Sequence, residues 1–418
     1  MMMMMNASIL SILLAACLPA RSAGARERVL VLLDDPTRAR QGHASFLGQI
    51  ESMGLDVTTA STSDNSTSLR GIEDWSYDHL VVLGAEGTFG EGVTAKTQLE
   101  FFESGRNLYL ALSPSSIGNA RALAGRLGAD LEARSSLVMD PFEKSLPDAT
   151  VRALVDSDAA EHMLPDTSSD VVFVDGVGFS IAPEATMTVG ALHASPTAFA
   201  AMPGKDGAAP RALKLGGYNL KLAALVQGRN NARAAVIGST EMLSDAVISR
   251  HVGNKAFAED SLEWVFGQRG VLRPSGLRHR RVGSDSWNPA EGYRVKDEIE
   301  VAIDIEECVK SHCGGYGGND VQVEMYMLDP YVRRTLTNTG NGTFVARIQV
   351  PDKYGVFKIK VDYTRPGLSW IHEAEIVAVR PFRHDEYERF LTQAYPYYAS
   401  VLAMVAGFLA VSRAFVFH

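Results

Sequence analysis

Arg28-Val29-Leu30-Val31-Leu32-Leu33-Asp34-Asp35 places an unbroken apolar run before two acids. Such a run, without polar alternation, is what a strand buried on both faces requires. The stretch from Gly42 to Met53, closed by Gly54, reads as the helix that follows it. Two more runs of the same kind come next, His79-Leu80-Val81-Val82-Leu83-Gly84 and Asn107-Leu108-Tyr109-Leu110-Ala111-Leu112. A second set comprises Val171–Val174, Ala223–Val226 and Ala234–Gly238 as strands and Ala256 to Phe266 as a helix. Strands alternating with helices predict an α/β region from Arg28 to about Gly270.

After Arg273 the helical pattern stops. Glu298–Ile305, Asp320–Met327, Gly342–Val350, Phe357–Asp362 and His372–Val379 alternate apolar and polar residues between turns rich in Gly, Asn and Pro. Strands so closely spaced predict a small β-sandwich. A chain of 418 residues exceeds what one core usually serves. The expected organisation is a signal peptide over 1–25, α/β domains over 26–145 and 146–273, a β-sandwich over 274–382, a juxtamembrane segment over 383–396 and a transmembrane helix over 397–418.

The two ends carry the membrane signals. Ile9 to Leu18 is an apolar run too short to span a bilayer, and Ala23-Gly24-Ala25 fits signal-peptidase cleavage. An uncleaved anchor is the alternative. Ala399 to Val411 is apolar and is followed by Ser412 and Arg413, with Tyr395-Pro396-Tyr397-Tyr398 before it as an interfacial aromatic belt. With the body in the lumen, Arg413 faces the cytosol, as the positive-inside bias prefers. A buried terminal helix is the rival reading. Ala403, Gly407 and Ala410 are spaced to let another membrane helix approach closely.

A net charge of −9 and the lack of a basic stripe exclude a nucleic-acid binder. Removal of the signal peptide would also remove Cys17, leaving Cys308 and Cys313 as a candidate disulfide or as two free thiols. His312 between them does not complete a zinc site. Asn65-Ser66-Thr67 and Asn341-Gly342-Thr343 are glycosylation sequons in polar turns, and Asn6 opens a third inside the leader.

Catalytic machinery is not evident. Asp34-Asp35 at a strand end can serve a metal or a nucleophile, or can cap and face water. The Gly84-to-Gly90 loop lacks the Gly-Lys-Ser/Thr ending of a phosphate loop. Ser113 and Ser115 follow a strand, but no nucleophile elbow surrounds them, and His43, His162 and His193 are scattered. Glu306-Glu307 and Glu386 with Glu388 read as solvated faces.

Arg229-Asn230-Asn231-Ala232-Arg233, Gly238-Ser239, Trp264-Val265-Phe266, Gly270-Val271-Leu272-Arg273, Asp329-Pro330-Tyr331, Tyr354-Gly355-Val356-Phe357, Val379-Arg380-Pro381 and Ala394-Tyr395-Pro396-Tyr397-Tyr398 occur in one order along the chain. In these stretches the sequence resembles the family of the 48 kDa subunit of the oligosaccharyltransferase complex. The resemblance implies two degenerate flavodoxin- or amidotransferase-like α/β domains, then a β-domain and a single type I span in the endoplasmic reticulum membrane. It also implies an accessory subunit, not an enzyme on its own and without a cofactor, that supports transfer of a dolichol-linked oligosaccharide to Asn-x-Ser/Thr. Metal and lipid-linked donor are then expected on a different, multi-spanning catalytic subunit, which is an expected partner with the other subunits and the membrane lipid. The family's lysine-bearing tail has no counterpart before His418. Arg229, Asn230, Asn231 and Arg233 are candidate partner contacts, with a structured turn and an internal ion pair of Arg233 as the alternative. A lumenal hydrolase using Ser113 or Ser115, and a single-span adhesion or receptor ectodomain, are the competing classes.

Overall fold

The computed structural model describes residues 26–36, 42–72, 74–143, 150–167, 171–203, 211–310, 312–387 and 389–417. The expected signal peptide, with Asn6 and Cys17, lies outside them.

β1 (Arg28–Leu33), β2 (Asp56–Ser61), β3 (His79–Gly84) and β4 (Asn107–Leu112) are parallel neighbours in the order β2-β1-β3-β4. Alternate residues of β1 enter different cores. Val29, Val31 and Leu33 pack with Phe46 and Ile50 of the helix Ala44–Ser52 and with Leu262 of the helix Val252–Val265. Leu30 and Leu32 pack with Phe101 of Ala95–Glu103 and Leu123 of Gly118–Arg126. Helices therefore cover both faces, which is why the inner strands β1, β3 and β4 are apolar runs, whereas the edge strand β2, Asp56-Val57-Thr58-Thr59-Ala60-Ser61, is not.

The next strands are β5 (Ala129–Leu131), β6 (Leu137–Met139), β7 (Thr150–Val155), β8 (Val171–Val174), β9 (Phe179–Ile181), β10 (Thr188–Ala194), β11 (Phe199–Met202), β12 (Arg211–Gly216), β13 (Lys221–Gln227) and β14 (Arg233–Ile237). β14 lies parallel beside β4, and the sheet then continues through β13, β10, β7 and β8, all antiparallel. The segments expected as α/β domains on either side of residue 145 therefore share a sheet. One sheet runs through both segments, and the later one extends it with antiparallel strands. β6, β11 and β12 form a small sheet of their own.

β15 (Val271–Arg281), β16 (Tyr293–Arg294), β17 (Glu298–Val309), β18 (His312–Gly315), β19 (Gln322–Tyr326), β20 (Pro330–Thr335), β21 (Thr337–Asn338), β22 (Thr343–Gln349), β23 (Gly355–Tyr363) and β24 (Ile371–Arg380) complete the β-rich region. They form two five-stranded sheets, β15-β17-β22-β21 with β18 on β17, and β16-β24-β23-β19-β20. Ile299, Val301, Ile303 and Ile348 of the first share one core with Val323, Met325, Phe357, Ile359 and Val361 of the second. Because β15 starts at Val271, the expected boundary at Arg273 cuts a strand. Within β15, Pro274 stays in register opposite Ile305, and Gly276 sits in the irregularity of its pairing with β17.

A helix over Tyr395–Phe417 ends the described chain. Extended through its preceding turn, it makes a 26-residue segment, Thr392–Phe417, whose most apolar 18 residues have mean hydropathy 2.0 and are not buried at all. By length and composition it is able to cross a membrane.

Candidate functional site

The Arg229–Arg233 motif joins β13 to β14, and its geometry is set by its own side chains. Asn231 has φ +63°, a left-handed conformation that asparagine tolerates better than most residues. Asn230 Nδ2 donates to the carbonyls of Phe102 (3.1 Å) and Glu103 (2.7 Å), and its Oδ1 accepts from Ala232 N. Asn231 Oδ1 accepts from Trp370 N at 2.6 Å while Nδ2 donates to Trp370 O at 3.2 Å. The motif thus clasps the segment between β23 and β24.

Arg233 is 2% exposed. Its guanidinium donates to the carbonyls of Trp264 (2.8 Å), Arg269 (2.6 Å) and Gly270 (2.6 Å), and it lies 4.8 Å from the Trp264 ring centroid. Burial lowers its pKa, since desolvation penalises the cation. The three carbonyls oppose that penalty by hydrogen-bonding the charged form. The expected partner role is therefore corrected for Arg233, whose charge is satisfied inside, and by carbonyls instead of an ion pair. Of the four motif residues expected as contacts, Arg229 and Asn231 are exposed, and Asn231 is already bonded to Trp370.

The same surface receives more of the β-rich region. Trp264 Nε1 donates to Gly367 O (2.8 Å), Gln227 Nε2 to Leu368 O (2.6 Å) and Ser369 N to Gly270 O (2.9 Å). Ser369 Oγ accepts from Leu272 N at 2.6 Å. Gly270 has φ +64°, and a Cβ there would stand 2.4 Å from Gly367 O, so this close approach requires glycine. The β-rich region is therefore locked to the α/β region through residues 367–370. Sequence reasoning passed over this segment. The available signal was Trp264 and Trp370, two large residues rarely spent on open turns.

At the carboxyl edge of the parallel strands, Asp34 accepts from Thr62 Oγ1 and Glu86 N, both at 2.9 Å. Ser113 Oγ donates to Glu86 Oε1 (2.8 Å), and Ser116 Oγ donates to Gly84 O (2.6 Å). These groups tie three strand-end loops together. Ser115 is exposed and its carbonyl accepts from Arg134. His43 pairs with the carbonyl of Leu243, and neither it nor His193 meets a serine in a catalytic arrangement among the described contacts.

A polar cluster not anticipated from the sequence joins Asp156, just after β7, to His193 of β10, to Tyr218 and to Lys221 of β13. Lys221 Nζ lies 2.8 Å from Asp156 Oδ2 and 3.7 Å from the Tyr218 ring centroid, and the ring of His193 packs on Tyr218 at 4.7 Å. Lys221 and Asp156 are both buried. Burial by itself raises the Asp156 pKa, but the hydrogen bond and charge of Lys221, with the Tyr218 hydroxyl, bring it below its ordinary value. Burial, then the Lys221 charge, lowers that of His193.

Cys308 and Cys313 are opposite one another on β17 and β18 and form a disulfide, with Cα atoms 4.1 Å apart. Asn65 is exposed and its Oδ1 accepts from Glu91 N at 3.2 Å; Asn341 is exposed in the turn before β22 with φ +54°. Ala403, Gly407 and Ala410 lie exposed on the terminal helix. Glu386, expected on a solvated face, instead makes a bidentate pair with Arg380 at 2.6 and 2.7 Å. That pair, with the Arg383 N–H, holds its pKa down to about 2.

Comparison with known proteins addresses the whole chain. The OST48 N-terminal domain model matches residues 20–268, and the OST48 middle domain model matches residues 279–418. The 48 kDa subunit of dolichyl-diphosphooligosaccharide–protein glycosyltransferase from Arabidopsis thaliana is 34% identical over 410 residues, 94% of this chain and 93% of that protein. The corresponding subunit of Danio rerio is 32% identical, covering 96% of this chain and 94% of its own length. That of Caenorhabditis elegans is 31% identical, covering 94% and 92%. Matched from the first strand to the terminal helix at this level, the chain belongs to the OST48 family, that of the 48 kDa oligosaccharyltransferase subunit.

Proposed function

We propose that this chain is a non-catalytic, single-span subunit of the oligosaccharyltransferase complex of the endoplasmic reticulum, acting in protein N-glycosylation by holding other subunits in place. The observation that carries the reading is the bare helix Thr392–Phe417 attached to an ectodomain whose two regions are bolted together. Such a chain presents a large rigid surface in the lumen and an unpartnered helix in the bilayer, which is what a scaffold needs. Ala403, Gly407 and Ala410 offer the close helix contact, and Arg229 offers a charge to a lumenal neighbour. Donor and metal belong, in this reading, to a multi-spanning catalytic partner. The α/β region is read as a degenerate amidotransferase-type unit and the two facing sheets as a β-sandwich. Asn65 and Asn341 are taken as lumenal glycan acceptors.

The test is a mild-detergent pull-down of the tagged chain from its own membranes. Co-purification of a multi-spanning subunit, with oligosaccharide transfer to an Asn-x-Thr peptide in the assembly and none by the chain alone, supports the proposal. Transfer by the isolated chain, or no multi-spanning partner, overturns it.

A further inference from the structure

We propose that the β-rich region ends in a lipid-binding foot, a rigid aromatic surface that seats the ectodomain on the membrane beside the helix. The proposal rests on the reading of Thr392–Phe417 as a membrane span. β23 and β24 pair from Tyr363–Ile371 at one end to Gly355–Val379 at the other. The first end leads into the segment docked on the α/β region. The second leads, after Arg380, to the helix, so the membrane lies at that end and the nine-residue strand β23 separates the α/β region from it by roughly 30 Å.

Large exposed side chains gather on this membrane-side end. Tyr354, immediately before β23, is 71% exposed; Tyr387 is 57%, Phe390 60% and Leu391 52% exposed, followed by Tyr395, Tyr397 and Tyr398. In water an exposed cluster of this kind is unfavourable, whereas tyrosine and phenylalanine suit the headgroup layer. The helix length agrees. Its 26 residues rise about 39 Å, some 9 Å more than the hydrocarbon core. The excess places the first turns, and Phe390 and Leu391 just before them, at headgroup level. Arg389, whose guanidinium lies 5.6 Å from the Phe390 ring centroid, supplies a cation for lipid phosphate.

The segment is also held to the β-rich region. Arg380, the last residue of β24, grips Glu386 through both carboxylate oxygens, and the Arg383 N–H adds a third bond at 2.8 Å. The Phe382 ring stacks with Tyr387 at 5.4 Å and lies 5.1 Å from the Arg294 guanidinium of β16. This clasp leaves few residues between a fixed point and the start of the helix, so the foot fixes the ectodomain against the bilayer instead of letting it swing. The favoured occupant of the surface is lipid, because the surface is continuous with the membrane helix.

The test uses the full chain in phosphatidylcholine vesicles, with one nitroxide label placed at Phe390→Cys, Leu391→Cys, Phe408→Cys or Ile72→Cys. Cys17 is replaced by serine, Cys308 and Cys313 are joined and take no label, and the chain without a new cysteine gives the blank. The ratio of collision rates with oxygen and with a water-soluble nickel chelate reports depth. We expect the ratio at 390 and 391 to exceed that at Ile72 at least threefold and to fall below that at Phe408. Glu386→Gln should at least double the label's mobility at 390. A water-like ratio at both 390 and 391 with a lipid-like one at 408 overturns the foot while leaving the span intact. Shielding of 390 from both reagents, as a protein contact gives, overturns it too. A water-like ratio at 408 removes the span, and the foot with it. Unchanged mobility in Glu386→Gln overturns the clasp.

Discussion

The Arg233 guanidinium donates to the backbone carbonyl of Trp264 at 2.8 Å and lies 4.8 Å from the same residue's ring. A single buried cation thereby fixes the end of the helix Val252–Val265 and the turn into β15. Arg233→Met should destabilise the chain by about 4 kcal/mol, because three carbonyls lose a charged donor. Arg233→Lys should recover only part of this, since an ammonium cannot span the three acceptors as a planar fork does. Thermal unfolding of the purified chain checks both values; equal stability of wild type and Arg233→Met would contradict the assignment.

Asn231 couples a left-handed backbone to two bonds with Trp370. Asn231→Gly keeps the conformation and loses the bonds, while Asn231→Ala loses both. We expect Ala to be the worse by roughly 1–2 kcal/mol. Limited proteolysis between residues 364 and 370 should accelerate in the same order, and a reversed order would count against it.

Strands buried on both faces were legible in the sequence because Val29–Leu33, Leu80–Leu83 and Leu108–Leu112 are apolar at every turn of the pleat. The junction of β4 with β14 was not legible: it pairs segments more than a hundred residues apart, and local periodicity carries no pairing information. Arg233 and Glu386 illustrate the same limit at the site. Glu386 looks like a surface charge and Arg233 is open between a partner contact and an internal pair, and only tertiary contact shows Arg233 buried and Glu386 gripped by Arg380. Lys221 stood within an apolar run, but its partner Asp156 directly follows β7, a strand that the sequence did not reveal.

The Lys221–Asp156 pair predicts an asymmetric mutant cycle. Lys221→Met alone should cost about 3–5 kcal/mol by leaving a buried carboxylate without its cation, and adding Asp156→Leu should restore most of it. The folded carboxyl titrates below its ordinary 3.8, so the unfolded chain binds the proton first. The pair's contribution is therefore complete above that pH and is lost as pH falls through the lower folded value. Urea titrations from pH 7 down to pH 3 should show the wild type losing its advantage over the double variant at the acid end. An advantage that grows on acidification would contradict the sign.

The Cys308–Cys313 bond closes a short loop, and chain-entropy reasoning assigns it about 2 kcal/mol. Replacing both cysteines by serine should lower stability by that amount without dissolving the sheet, whose β17 also pairs with β15 and β22. Chemical denaturation measures it; a loss of the whole β-rich region's folding would show that the bond matters more than loop closure allows.

In the proposed reading the chain supports glycan transfer without performing chemistry itself. The direct measurement is complementation of membranes depleted of this subunit, comparing the wild-type chain with an Asp34→Asn/Glu86→Gln/Ser113→Ala variant, each assayed for assembly and for oligosaccharide transfer to an Asn-x-Thr peptide. Transfer in proportion to the assembled complex is expected for both chains. Normal assembly of the variant with transfer reduced a hundredfold would contradict it and place a reacting group at the carboxyl edge of the parallel strands.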